Sequence, residues 1–297
     1  MSEPVRLLVA LALALLLSVR GYRRRSLSVD GACLAFIVGF VSCAASLTFG
    51  LTLIVFFLGA SKVTRLGAEK KRKIEDGHQV GGHRNWIQVL ANGGVGTALA
   101  ATFWMRRLAE GDSISPEQGI NFALHPMESW VQVAYLCHYA CCNADTWASE
   151  LGVLSTAAPI LITRPWRTVP AGTNGGVTWA GTAASLVGGL LIGCTFWGVG
   201  RAATVAGGAA AVAPQWPLVP LGTLAGGIGS LIDSLLGATL QYSGWCTRKR
   251  LVVETPSPTS ERISGYCVLD NHQVNFLAAA ATSALCALSA ARYWPSA

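Results

Sequence analysis

Asp145 and Glu150 lie in "CHYACCNADTWASELG", residues 137–152, at the end of a run otherwise suited to lipid. A carboxylate at the centre of a hydrocarbon-embedded helix costs about 2.5–3.5 kcal/mol even on lenient insertion scales. Water, a metal ion, a basic partner or a bound substrate must offset that cost. Two further acids share the setting: Asp233 in "GSLIDSLLGATLQY", and Asp270, followed by Asn271, at the opening of the last apolar segment. Asp145, Glu150, Asp233, Asp270 and Asn271 together offer the oxygen ligands that one or two Mg2+ ions take. Asp145 and Glu150 stand about 140° apart on a regular helix, so they share one ion only if the helix breaks between them. The competing reading pairs each acid with a Lys or Arg of a neighbouring helix.

A second group of residues suits phosphate. Gly172, Thr173, Asn174, Gly175 and Gly176 precede an apolar helix expected from about Val177. Glycines let backbone N–H groups approach a ligand closely, and a helix N-terminus favours an anion. The stretch is not a Walker A motif, because no Lys follows, and Thr173 or Asn174 could equally serve as an N-cap. In "GGHRN", Arg84 can hold a phosphate through two parallel hydrogen bonds, and His83 beside it is a candidate ligand or base or a plain loop histidine. Lys62 and Arg65 open the basic run "KVTRLGAEKKRK". They could reach triphosphate oxygens, or the run could simply hold its loop in the cytosol against anionic lipid. In the catalytic reading Arg84, Lys62 and Asn174 act on the transferring group, while Gly172, Thr173, Gly175, Gly176 and Arg65 bind nucleotide phosphates.

The elements that must position these residues are membrane helices. The chain is 52% hydrophobic and 12% charged, with mean hydropathy +0.46, against about 25% charged residues in soluble domains. Apolar segments near 5–19, 31–60, 87–104, 130–148, 178–200, 217–242 and 274–291 approach bilayer length. An all-α polytopic membrane protein follows, with six to eight helices in a single domain spanning 1–297. The net charge of +7 would suit nucleic acid in a soluble protein. Here the basic residues cluster between apolar segments, so membrane orientation accounts for them and no nucleic-acid partner is expected. The run 5–19 is followed by "RGYRRRS" and not by a small-residue cleavage site, which marks a first helix and not a signal peptide. The nine cysteines fall mostly inside apolar runs and read as small core residues, not as a disulfide or zinc framework.

Charge also fixes the topology. The run 31–60 is too long for one straight crossing and is flanked by basic stretches on both sides. The positive-inside bias places both flanks in the cytosol, which requires a hairpin of two helices turning near "SCAAS". Eight helices result, with both termini on the far side. Loops 20–30, 61–86, 151–177 and 243–272 then hold 17 of the 22 Lys and Arg residues. The loop 105–129, with Glu110, Asp112, Glu117 and Glu128, falls outside. All the candidate site residues land on the cytosolic side. Gly188, Gly189 and the glycines of "GGIGS" (226–230) are expected to let helices pack closely.

The blocks "KKRK…GGHRNWIQVLANGG", "NADTWASELG", "VPAGTNGGVTWAG", "APQWP", "GSLIDSLLGATLQY" and "LDNHQVN" together resemble the transmembrane protein 19 family. This is the animal branch of a group that includes the plant and cyanobacterial phytyl-phosphate kinase, and the likeness runs from about residue 26 to 295. The resemblance implies a multi-helix membrane enzyme of isoprenoid-phosphate metabolism. Its plant-type member phosphorylates a prenyl monophosphate to the diphosphate with a nucleoside triphosphate, preferentially CTP. Expected partners are therefore a membrane lipid substrate, CTP and Mg2+; the lack of a transit peptide rich in Arg and Ser separately favours the endoplasmic reticulum or another endomembrane as the compartment. Two other function classes share the same features: a transporter or flippase of an anionic lipid, and a non-catalytic membrane scaffold. A transporter should place polar residues at the bilayer midplane and repeat its two halves, and no internal repeat is visible.

Overall fold

The 31–60 run is resolved as two helices. Val29–Ala45 ends where Ser46 takes an extended backbone, and Leu47–Arg65 returns. Ser46 Oγ accepts from the N–H groups of Thr48 and Phe49, capping the returning helix. The structure, a computed structural model, describes residues 2–68, 82–111, 114–206 and 214–294. Eight helices of 17 or more residues stand among the described residues: α1 (Glu3–Arg23), α2 (Val29–Ala45), α3 (Leu47–Arg65), α4 (Trp86–Glu110), α5 (Pro126–Gly152), α6 (Trp179–Ala206), α7 (Leu218–Leu240) and α8 (Asn271–Tyr293).

Helices α1, α3, α6, α7 and α8 are long and apolar enough to cross a membrane, and α2 is a shorter apolar helix. Helix α5 lies inside the bundle, packed by α3, α4, α6, α7 and α8. From Val133 to Ala140 its side chains are fully buried. A helix wrapped by protein need not dissolve in lipid, so α5 tolerates Gln132, His138 and Asn143 among its buried residues. Phe49 of α3 stacks on Tyr135 with ring centroids 3.9 Å apart, and the Tyr135 hydroxyl donates to Phe49 O at 2.9 Å. Leu8, Leu16, Leu224 and Leu285 face outward, as lipid contact requires. Helices α6 and α7 meet backbone to backbone: a Cβ on Gly189 would lie 2.5 Å from Gly222 O, and one on Gly226 would lie 2.8 Å from Gly189 Cα.

The direction of the helices follows from ties at each end. At one end Arg65 donates to Arg24 O and Ser26 Oγ, while Arg84 N donates to Ser26 O and Arg84 O accepts from Ser28 N, flanking a Leu27–Arg84 bridge. At the other end Arg107 bonds Ala45 O at 3.2 Å and Glu3 at 2.6 Å, joining α4, α2 and α1. The acids of the 105–129 loop belong to that far end. Arg106 bridges Glu110 and Glu128, and Glu117 reaches the N-terminus of α3, accepting from Ser46 Oγ, Leu47 N, Thr48 N and Thr48 Oγ1. Asp112 lies outside the described residues.

Two connections that read only as loops carry small antiparallel sheets. Strands β1 (Ile160–Leu161), β2 (Arg164–Thr168) and β3 (Gly176–Val177) are ordered β2-β1-β3; β4 (Ser243–Cys246), β5 (Leu251–Val253) and β6 (Ser260–Ser264) are ordered β5-β4-β6. Asn174 clasps the two connections together. Its N–H donates to Ser243 Oγ at 3.0 Å, and its carbonyl accepts from Ser264 Oγ at 3.3 Å.

Glu117 sets an anion on the first turn of α3, where the helix dipole and unpaired N–H groups favour one. Glu117→Ala is expected to destabilise the protein by about 1 kcal/mol. The check is the melting temperature in detergent or nanodiscs, with Glu110→Ala, an acid exposed at its helix end, as the control that should shift it less.

Candidate functional site

The C-terminal halves of α5 and α7 bring their acids to the same end of the bundle. Asp145, Thr146, Ser149 and Glu150 of α5 and Ser230, Asp233 and Ser234 of α7 line one cavity of about 410 Å3, a volume ordinary for a small-molecule site. Arg84, Gly172 to Gly176 and Asn271 line it too. Ten residues singled out in the sequence thus converge from five separate stretches of chain.

Three helices also begin at this cavity. Gln88 and Asn92 come from the start of α4, Thr178, Gly181 and Thr182 from the start of α6, and Asn271, His272 and Asn275 from the start of α8. Helix N-termini carry positive partial charge, so the site is biased toward anions before any side chain is counted.

Asp145 and Asp233 both line the cavity, near enough to bear on each other's charge. Among the described residues neither forms an ion pair. Asn275, with its amide turned to donate, reaches Asp233 Oδ2 at 3.1 Å and Asn271 O at 3.0 Å. Asp233 therefore meets a neutral amide, and neither acid is matched by a cation among the described residues.

Arg84 lines the same cavity. Its guanidinium donates to Ser61 Oγ at 3.2 Å and Thr64 Oγ1 at 3.3 Å. Burial lowers its pKa from the ordinary arginine value, and the field of Glu150 partly opposes this. A guanidinium held mainly by hydroxyls retains donors for an anion in the cavity.

Several expectations are corrected. Helix α5 is continuous through Gly152, so Asp145 and Glu150 do not turn toward one ion, and Glu150 acts electrostatically on Arg84 instead. Asp270 is exposed and spent on local structure: it caps α8, accepting from Gln273 N at 2.8 Å while Gln273 returns a bond to Asp270 N. Among the described residues no group of three or more His, Cys, Asp and Glu side chains has metal-binding spacing. Lys62 is exposed on α3, and Arg65 is engaged by Arg24 and Ser26; neither lines the cavity. Residues 69–73 of the basic run lie outside the described residues, as does Gly81.

The glycine loop lines the cavity but does not open a helix. The N-cap of α6 is Thr178, whose Oγ1 accepts from Gly181 N at 3.0 Å. Three loop N–H groups are used internally: Thr173 to Pro170 O, Asn174 to Ser243 Oγ and Gly176 to Thr173 O. Asn174 is therefore a clasp and not an acting group, and Thr173 also bonds Pro170 O through its hydroxyl. Gly175 is required by shape: its φ is +77°, and a Cβ there would lie 2.3 Å from Ala238 Cβ and 2.7 Å from Ser234 O. The loop backbone thereby rests directly on α7, one turn from Asp233.

Sequence reasoning missed Gln88, Asn92, Asn275, Gln241, Glu254 and the hydroxyls of Thr178, Ser185 and Ser230, all lining the cavity. A signal existed for two pairs. Gln88 and Asn92, and Asn271 and Asn275, are amides at i, i+4 on otherwise apolar helices, so each pair shares one face.

A family model described as Integral membrane protein DUF92 matches residues 12–283. The chain belongs to the DUF92 integral membrane family. It is 41% identical over 293 residues to Protein PGR of Arabidopsis thaliana, covering 97% of each chain. An uncharacterised membrane protein of Methanocaldococcus jannaschii is 30% identical over 196 residues, 65% of this chain and 71% of that one. One from Synechocystis is 30% identical over 167 residues, 56% of this chain and 58% of that one. No solved structure matches the chain. A near full-length match to a plant protein and partial matches to an archaeal and a cyanobacterial one place this DUF92 protein in the group at large, not in its animal branch in particular.

Gly175→Ala should combine left-handed strain with a clash against α7 and cost about 2–4 kcal/mol. Limited proteolysis between residues 154 and 178, compared with wild type, should show the loop released.

Proposed function

We propose that this DUF92 protein is a membrane phosphotransferase that converts a prenyl monophosphate to the diphosphate, with CTP as the favoured donor. The observation carrying this reading is the pair Asp145 and Asp233, which form no ion pair among the described residues, in a cavity that also holds Arg84 and three helix N-termini. Such a site fits a ligand that is itself both anionic and accompanied by a cation. The six motif blocks that resemble the phytyl-phosphate kinase group supply the reaction class. The finer placement on the animal branch, beside transmembrane protein 19, rests on those blocks alone and stays part of the proposal, as does an endomembrane location.

The donor set fits Mg2+. It consists of oxygens only, and Mg2+ is commonly held by one or two carboxylates plus substrate phosphates and water. Asp145 and Asp233 would hold the ion, with Asn271 and Asn275 beside it, and Mg2+ would neutralise charge on the triphosphate. The protein's own part is binding and orientation. Arg84 grips phosphate oxygens bidentately, and the starts of α4, α6 and α8 favour the anions electrostatically. An oxygen of the acceptor phosphate attacks the γ-phosphorus of CTP, the bond from that phosphorus to the β,γ-bridging oxygen breaks, and CDP leaves. The acceptor oxygen is already anionic near neutral pH, so no side chain has to remove a proton, and positioning with charge neutralisation does the work.

The transporter reading receives less support, because the polar residues that line the 410 Å3 cavity gather at one end of the bundle. Nucleotide-independent uptake of a prenyl phosphate into liposomes would reverse that ranking. A scaffold leaves the unpaired acids without a role.

Purified protein in nanodiscs should form labelled diphosphate from CTP and a prenyl monophosphate. Asp145→Asn and Asp233→Asn should each lower the rate at least 100-fold while remaining folded. A second readout is independent of turnover. Saturating Mg2+ with CTP should raise the melting temperature of the wild type, since 100-fold excess over Kd is worth about 2.7 kcal/mol, and either variant should lose most of that rise. Wild-type activity retained in both variants would exclude the proposed metal pair.

A further inference from the structure

A second cavity, of about 100 Å3, lies among α1, α2, α3 and α4. Its walls include Ala35 and Val38 of α2 and Phe57 and Ala60 of α3, and it extends to Cys43. From Ala35 to Cys43 the helical rise amounts to about 12 Å along the bundle. Its polar lining includes Arg84, Gln88, Asn92 and Thr146, and these same four residues also line the 410 Å3 cavity. One continuous wall therefore grades from carboxylates and amides, through the half-buried guanidinium of Arg84, to hydrocarbon. An apolar void of this kind stays dry and favours apolar contents, whereas Arg84 at its mouth favours an anion.

We propose that this cavity is the binding site for the hydrocarbon chain of the acceptor, a single-chain isoprenoid monophosphate whose phosphate meets Arg84. The inference deepens the phosphotransferase reading and rests on it for the identity of the head group. It assigns the acceptor to the α1–α4 side of the site and leaves the CTP to the side of α6, α7 and the Gly172–Gly176 loop. A void of about 100 Å3 leaves no room for a second acyl chain. Filling it from the wall should weaken acceptor binding without touching the nucleotide.

The test uses the full chain in nanodiscs with farnesyl monophosphate as the probe. Ala35→Phe and Ala60→Phe should each weaken its binding at least tenfold and leave the affinity for Mg2+-CTP unchanged. A farnesyl monophosphate carrying a diazirine on the chain should crosslink to α1–α4, mapped by mass spectrometry on the wild type, which decides the matter even if both variants misfold. Phosphatidic acid should not displace the probe. Crosslinks confined to α6–α8, unchanged affinity in a folded Ala60→Phe protein, or equal displacement by phosphatidic acid would each overturn the site. The two proposals separate cleanly. Crosslinking to α1–α4 without diphosphate formation keeps the chain site and removes the kinase; diphosphate formation with unaffected filled variants does the reverse.

Discussion

The site depends on the enclosure of α5. A helix that carries Gln132, His138, Asn143 and Asp145 could not face lipid at tolerable cost, and five neighbours spare it from doing so. The same enclosure places the end of α5, with Asp145 and Glu150, at the centre of the bundle's basic end, where every neighbouring helix either starts or stops. Once α5 is central, α7 must lie beside it and present Asp233 to the same space. The starts of α4, α6 and α8 then point at that space because the helices alternate in direction. The convergence follows from alternating topology around one buried helix.

The electrostatics of the cavity follow from that arrangement. Two carboxylates close together in a partly dry site repel one another, and the described protein supplies an amide, Asn275, where a Lys or Arg would have silenced them. The cavity's guanidinium, that of Arg84, is held on the α3–α4 side by Ser61 and Thr64. Among the described residues no salt bridge joins Arg84 to Asp145 or Asp233. A structural ion pair would bring them together, because separation wastes the Coulomb energy that offsets burial. Separation makes sense when something with both signs, such as a metal-bound polyphosphate, lies between.

Much of this could be read from the sequence where the physics is global. Counting basic residues around the 31–60 run was enough to demand the α2–α3 hairpin, because the membrane enforces charge asymmetry over the entire chain. The acids Asp145 and Asp233 were legible because carboxylates in apolar helices are costly wherever they occur. Local roles were harder. Asp270 resembles a ligand, yet Asp270-x-x-Gln273 spells a capping box, as Asn85-x-x-Gln88 does for α4, and spacing alone gives both readings. The glycine loop promised free N–H groups, but its bonds go to Pro170 and Ser243, partners set by the two small sheets. Those sheets have strands of two to five residues, too short to show alternation. Lys62 and Arg65 sit one turn apart on α3, and only the packing of the α1–α2 link at Ser26 decides that Arg65 is occupied.

The two halves of the bundle are packed to different rules, and this bears on which half can receive a chain. Between α6 and α7 the backbones touch through Gly189, Gly222 and Gly226, so even a methyl group finds no room there. Flexible hydrocarbon cannot enter a contact made of main chain on both sides. Between α2 and α3, by contrast, side chains such as Val38 and Phe57 stand around a void, and its contents are set by rotamers that adapt at low cost. Nucleotide recognition benefits from the rigid side, since phosphate geometry tolerates little displacement. Chain recognition benefits from the yielding side, because hydrophobic burial is non-directional and scales with area. Arg84, at the seam between the two halves, is placed where a rigidly held head and a loosely held tail would have to join.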